Sequence, residues 1–255
     1  MKLKMFFFVV FLVVNYTFGQ SPNEVFENAN TAYNNAKYEK AVSLYKEILD
    51  QGEHSAALYY NLANCYYRLN NVGESVFYYE RAKLLNPNDQ DIKVNSAYAQ
   101  IMAIDAVELL PQTQLTRIQN SFFNSFSIEG WAILSVVLAW LCALFFGLYL
   151  WNKATVLKRT FFILAILSSL ILISSISISF IKSSTEEYTT YGILFSEKID
   201  VWAEPNSRSE VLFLLHEGTK VQLLDALQEW QKIKIANGSE GWVKGGNIRS
   251  LKDFK

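Results

Sequence analysis

The sequence predicts a multidomain membrane protein with three structured parts: an all-α helical repeat, a two-helix transmembrane hairpin and a small all-β barrel. Three observations predict it. Two uncharged apolar runs occupy 131–151 (WAILSVVLAWLCALFFGLYLW) and 160–181 (TFFILAILSSLILISSISISFI). Each reaches the ~20 residues a helix needs to cross ~30 Å of hydrocarbon. Before them, residue types recur at a spacing of about 34. After them, short apolar runs alternate with turn residues. Composition agrees: 51% of the 255 residues are hydrophobic and only 18% charged. Basic and acidic residues number 23 and 24, so no basic field supports nucleic-acid binding. Cys65 falls before the hairpin and Cys142 inside the first apolar run, which argues against a disulfide or a cysteine metal site.

Residues 1–19 read as a signal peptide. Lys2 and Lys4 form a basic start, an apolar run follows, and Thr17 and Gly19 are small residues placed for cleavage. A cleaved signal and an uncleaved anchor both put the following residues across the membrane. The chain then returns through 131–151 and 160–181, leaving the basic segment 152–159 (Lys153, Lys158, Arg159) on the cytoplasmic side. Both soluble parts are expected to face the periplasm of a bacterial inner membrane, in a multi-pass arrangement.

The repeat lies in 20–109. Ala29 matches Ala63, Asn30 matches Asn64, Tyr33 matches Tyr67, Val42 matches Val76 and Tyr45 matches Tyr79. With Tyr59, Leu62, Ala63, Tyr66, Ser75, Tyr79, Ala82 and Pro87 at signature positions, the second unit resembles a tetratricopeptide repeat (TPR). The first unit is similar but has Asn28, Ala32 and Glu53 where Leu, Tyr and Pro are usual. A capping helix is expected next, with Ile92, Ala97, Ile101, Ile104 and Val107 on its apolar face. Two repeats and a cap make a short stack, so this part should pack against a partner, a second copy or its own following segment. The resemblance implies a concave partner-binding groove carrying Asn30, Tyr33, Tyr60, Asn61, Asn64, Tyr67, Arg68, Asn95 and Tyr98. Phe26 and Tyr60 stand where a carboxylate clamp would need lysine, which favours a peptide or helix as ligand. Some of these tyrosines could instead be packing residues.

Residues 110–130 hold Leu115, Ile118, Phe122, Phe123, Phe126 and Ile128 mostly on one helical face. This reads as an amphipathic juxtamembrane segment or as a linker. Trp131, Tyr149 and Trp151 are placed for the headgroup layer, and six serines between 168 and 179 suit close helix contact.

In 188–251, strands are expected at 192–195, 199–202, 211–215, 220–225, 230–235 and 241–243, with a tight hairpin at Asn237–Gly238. Val201, Pro205, Val211, the turn Glu217–Gly218–Thr219, Val221, Trp230 and the Gly241–Trp242–Val243 triplet resemble a bacterial SH3 (SH3b) domain. Trp202 stands where that family often has Arg. The resemblance implies a small SH3-like barrel that binds a protein or cell-wall peptide, with Trp202, Glu204, Trp230 and Trp242 as the candidate face. Trp230 and Trp242 could equally belong to the core.

No nucleophile, phosphate-loop or zinc-protease motif occurs. His54 and His216 read as solvated loop residues, and the carboxylates read as ordinary surface charges. No catalytic residue, metal or cofactor is expected, and the chain does not read as an enzyme. The order of parts resembles the BatE-type proteins of the Bat (aerotolerance operon) system. That resemblance implies a stress-related membrane complex with von Willebrand factor A-type proteins, other TPR membrane proteins and a MoxR-type ATPase. The readings are therefore a membrane-anchored interaction scaffold, an envelope anchor or sensor whose SH3b part binds peptidoglycan, or a protein that signals through the hairpin.

Overall fold

The computed structural model describes residues 21–103, 105, 113–123 and 125–252. The signal peptide expected over 1–19, and the cap residues Ile104 and Val107, lie outside the described residues.

Five helices form the N-terminal part: α1 (Pro22–Asn34), α2 (Tyr38–Asp50), α3 (Ala56–Arg68), α4 (Val72–Leu85) and α5 (Gln90–Met102). Short polar side chains start four of them. Ser21, Ser55, Asn71 and Asp89 each accept a first-turn amide that the helix itself leaves unpaired. The two repeats share backbone as well as sequence. Ala36 and Asn70 occupy equivalent turn positions with φ of 56° and 57°. In each, the following amide bonds back to a helix carbonyl, Lys37 to Ala32 and Asn71 to Tyr66, both at 2.9 Å. Asn tolerates this left-handed conformation better than Ala does. Small buried residues let the paired helices approach: Ala29 and Ala41 are both fully buried in one repeat, and Ser75 donates to the Ala63 carbonyl at 3.2 Å in the other.

Helix α4 is buried from Ser75 through Ala82 without interruption. An amphipathic helix would expose one face. This one is covered by α3 and α5 on one side and by the C-terminal barrel on the other. On α5 the buried residues are Ile92, Ser96 and Ala99, while Ala97 and Ile101 are exposed. The cap therefore turns a different face inward than expected. The spacing Ile92–Ser96–Ala99 is helical, and the small Ser and Ala allow close packing on α4.

Helix α6 (Gln114–Phe123) keeps Leu115, Ile118 and Phe122 exposed. Helices α7 (Ile128–Trp151) and α8 (Thr155–Tyr188) are long and apolar enough to cross a membrane, by length and composition. They pack as a hairpin through a polar node: Ser135 donates to Ser175 at 2.9 Å, and both hydroxyls reach the Trp131 carbonyl at 2.9 Å. Ser174 and Ser177 face outward and bond to their own helix backbone. Trp131 is buried against Phe122 and Phe126 rather than sited outward among headgroups. The basic connection is shorter than the expected 152–159. Only 152–154 link the helices, because 155–159 contain no Gly or Pro to stop α8 starting early. The same absence of a breaker carries α8 past 181 to Tyr188.

One residue later the barrel begins. Strands β1 (Thr190–Leu194), β2 (Lys198–Trp202), β3 (Val211–His216), β4 (Lys220–Leu227), β5 (Trp230–Lys234), β6 (Glu240–Lys244) and β7 (Ile248–Ser250) form one antiparallel sheet in the order β3-β2-β6-β5-β4-β1-β7. The first six strands contribute Leu194, Val201, Leu215, Val221, Ile233 and Val243 to a single core, so the sheet coils on itself. Strand β7 was not expected; its three half-buried residues show no alternation. The β5–β6 hairpin turns over Ile235–Gly238 and closes with Gly238 at φ +86°, longer than a two-residue turn.

Candidate functional site

The concave face of the repeat is built from α1, α3 and α5. It encloses a groove of about 650 Å³. All eight of Asn30, Tyr33, Tyr60, Asn61, Asn64, Tyr67, Arg68 and Asn95 line it, together with Tyr98. Three hydrogen bonds hold the wall. Tyr45 donates to Asn30 Oδ1 at 2.6 Å, Asn61 Nδ2 donates to the same oxygen at 3.0 Å, and Asn95 Nδ2 donates to the Tyr60 hydroxyl at 2.6 Å. The second repeat repeats the first of these: Tyr79 donates to Asn64 Oδ1. Burial raises the Tyr45 and Tyr79 phenols above their ordinary range, so both stay protonated donors at any physiological pH.

This arrangement decides what the groove offers. The carbonyl oxygens of Asn30 and Asn64 are taken by tyrosines from the second helix of each repeat. Among the described residues their amide NH2 groups have no partner, and with Arg68 they leave donors facing the groove. Such a wall suits a ligand rich in carbonyl oxygens, as a peptide backbone is. Tyr45, Tyr79, Glu27 and Asn34 also line the groove and were not expected there. The offset that aligns Asn30 with Asn64 also aligns Tyr45 with Tyr79, which was the available signal.

The opposite face of the repeat is closed by the barrel. Arg249 pairs with Glu74 at 2.7 Å and lies over the rings of Phe77 and Phe195. Those rings meet edge to face at 5.7 Å. Lys220 pairs with Glu80 at 2.5 Å, and Glu80 is only 3% exposed. Burial alone would raise the Glu80 carboxyl, but the charges of Lys220 and Lys83 outweigh it and hold it low. Asp105 accepts from the His216 amide at 2.6 Å and from Thr219 at 2.7 Å, and pairs with the His216 ring at 2.7 Å. Burial pushes its carboxyl up, but these bonds more than compensate and depress it.

The turn after β3 drives into the repeat beside two closely packed glycines. Gly73, in the first turn of α4, donates to Glu217 at 2.9 Å, and a Cβ there would lie 2.7 Å from that carboxylate. Glu217 thus takes an unpaired amide at the positive end of a helix. Gly218 has φ +85°, and a Cβ on it would meet Val72 at 2.8 Å. His216 is therefore an inter-domain residue, not a solvated loop histidine. Glu80 and Asp105 are likewise not ordinary surface charges. The segment that completes the short stack is the chain's own barrel.

The second candidate face is partly assembled. Trp202 meets Trp230 edge to face at 6.4 Å and sits in register with Trp242. Trp230 is 6% exposed and forms the floor, while Trp202 and Trp242 are half-buried. Glu204 is exposed, and its carboxylate accepts from Asn206 at 3.1 Å. These tryptophans lie on β2, β5 and β6, whereas docking uses β1, β7 and the β3–β4 turn.

Comparison with known families divides the chain in the same way. Residues 33–101 match the family model of the tetratricopeptide repeat. Residues 198–249 match that of the bacterial SH3 domain. A search of curated proteins finds no match to the chain. The chain thus joins a tetratricopeptide-repeat region to a bacterial SH3 domain through two long apolar helices.

Proposed function

We propose that this chain is a membrane-anchored protein-interaction scaffold without catalytic activity of its own. In this reading α7 and α8 span a bacterial inner membrane, and both soluble modules stand on its periplasmic face. The observation that carries it is the contrast between the two faces of the repeat. The convex face is filled by the barrel, while the concave face keeps amide and guanidinium donors directed at an open groove. A partner segment in extended or helical form would supply the missing carbonyl acceptors. The resemblance to BatE-type proteins supports placing it in a Bat-type stress complex. Its partners would then include von Willebrand factor A-type and TPR membrane proteins, with a MoxR-type ATPase reached across the membrane.

Replacing Asn64 and Tyr67 by Ala tests this. Partner recovery from solubilised membranes should fall at least tenfold while membrane insertion is unchanged. Recovery of the wild-type chain alone, with and without crosslinker, contradicts the scaffold reading.

A second reading is favoured by the half-buried Trp202–Trp242 pair, which the docked barrel leaves uncovered. Aromatic platforms of this kind suit cell-wall saccharides and peptides. Purified cell wall should then sediment the full-length chain, and Trp202→Ala should abolish sedimentation. A chain that stays in the supernatant rules this out.

A further inference from the structure

Helix α6 carries an apolar stripe that is left uncovered among the described residues. Leu115, Ile118 and Phe122 recur at helical spacing, and they are 75%, 67% and 56% exposed. Arg117 and Ser121 fall on the other side of the helix. A helix of 10 residues is marginal in water unless one face is covered. The stripe therefore calls for a cover from outside the chain.

The C-terminal end of α6 shows which cover. Phe122 and Phe126 both pack on the Trp131 ring, with centroids 5.6 and 5.3 Å away. The Trp131 indole donates to the Phe123 carbonyl at 3.2 Å, and Lys182 donates to the Phe126 carbonyl at 2.8 Å. The first turn of α7 and the later part of α8 thus hold this end together. Charged residues in the sequence set the level of that grip. Glu129 is the last before the apolar run 131–151, and Lys182 is the first after the run 160–181. Both runs end where α6 is held. Along the chain, the exposed apolar residues pass from the stripe through Phe126 to Ile133, Val136 and Val137 on α7.

We propose that α6 lies on the membrane surface, with Leu115, Ile118 and Phe122 against lipid acyl chains and Arg117 turned to water. The hydrocarbon that surrounds α7 and α8 then covers this stripe as well. A partner helix could meet the same stripe, but the fixed place of α6 beside the ends of both apolar runs favours lipid. The inference rests on α7 and α8 spanning a membrane. It adds a third element in contact with the bilayer, one that lies along it, and makes α6 part of the anchor instead of a linker.

Photo-crosslinking in phosphatidylcholine nanodiscs tests it, with a photoreactive residue in the full-length chain at Ile118, at Arg117 or at Val137. Val137 is 48% exposed on α7 and reports the span itself. Lipid adducts, read by mass, should form at Val137 and Ile118, and Ile118 should give roughly tenfold more than Arg117. Lipid at Val137 without lipid at Ile118 overturns the proposal and leaves the spanning helices standing. Equal adducts at Ile118 and Arg117 overturn it too, as do protein crosslinks at Ile118 in place of lipid. Lipid at neither Ile118 nor Val137 overturns the membrane reading with it. Hydrogen exchange in the same nanodiscs gives a second measurement. Leu115→Gln with Ile118→Gln should speed exchange of the amides of α6 roughly tenfold and leave α7 unchanged. Unaltered exchange along α6 would show that the stripe needs no lipid and overturn the proposal.

Discussion

The two faces of the repeat use similar residues and end in opposite states. On the convex face, Glu74, Glu80, Asp105 and the Gly73 amide each find a partner on the barrel. On the concave face, the asparagines are held by tyrosines and turn their remaining donors outward. Buried polar groups cost free energy unless they are paired. Apart from the second carboxylate oxygen of Glu74, which is buried without a hydrogen-bond partner, the first face is therefore a finished interface, and the second is set up to receive acceptors from outside.

The strongest way to break the comparison is to open the finished face. Phe77 is 1% exposed, meets Phe195 edge to face and lies under the Arg249 guanidinium. Phe77→Ala should destabilise the folded unit by about 3–5 kcal/mol. Hydrogen exchange should accelerate at 216–220 and along α4 together. Fast exchange confined to α4 would show that the barrel does not depend on this contact.

A smaller effect is expected from the polar part of the same face. Asp105→Asn keeps the shape but loses the charge that His216 and Thr219 address, at a cost of about 1–3 kcal/mol. The sign of the pH dependence follows from the carboxyls. Asp105 and Glu80 are depressed in the folded state, so their contribution is fully present above the ordinary carboxylate range near pH 4. It is lost as pH falls through the lowered values. Inter-domain protection should hold from neutrality to about pH 4 and fail below it. Undocking already complete at pH 6 would contradict this assignment.

The mildest change sharpens the account of the repeat itself. Ala36 adopts φ 56°, where its counterpart is Asn70. Ala36→Gly relieves a left-handed backbone and should stabilise the helical part by about 0.5–1 kcal/mol in thermal unfolding. A loss of stability would mean that the Ala36 methyl contributes packing instead.

How legible each face was in the sequence follows from the same contrast. The groove residues lie on the first helix of each repeat at a fixed spacing, so Asn30, Asn64, Tyr33 and Tyr67 stood out in self-comparison. The barrel strands Lys198–Trp202 and Lys220–Leu227 showed through their apolar runs and through the glycine turn between 216 and 220. The finished face has no such period. It is made of single charges, Glu74, Glu80, Asp105, His216, Lys220 and Arg249, drawn from positions more than 100 residues apart. Each resembles a solvated residue until the other domain covers it. Helix α4 hinted at this cover, since Val76, Phe77, Tyr78 and Tyr79 in succession leave no side for water. The start of α8 inside the basic segment 152–159 was not legible for another reason: lysine and arginine favour helix as readily as loop, so charge marked the end of the apolar run but not the end of the helix.

The central claim is that one face is closed by the chain itself and the other is open to a partner. Photo-crosslinking from both faces in cells tests it most directly, with a photoreactive residue at Val72 in one strain and at Tyr67 in another. The account predicts that Val72 links only within the chain, to residues 216–220, and that Tyr67 links to another protein in a product lost on Asn64→Ala. Intermolecular products from Val72, or purely internal ones from Tyr67, would contradict it.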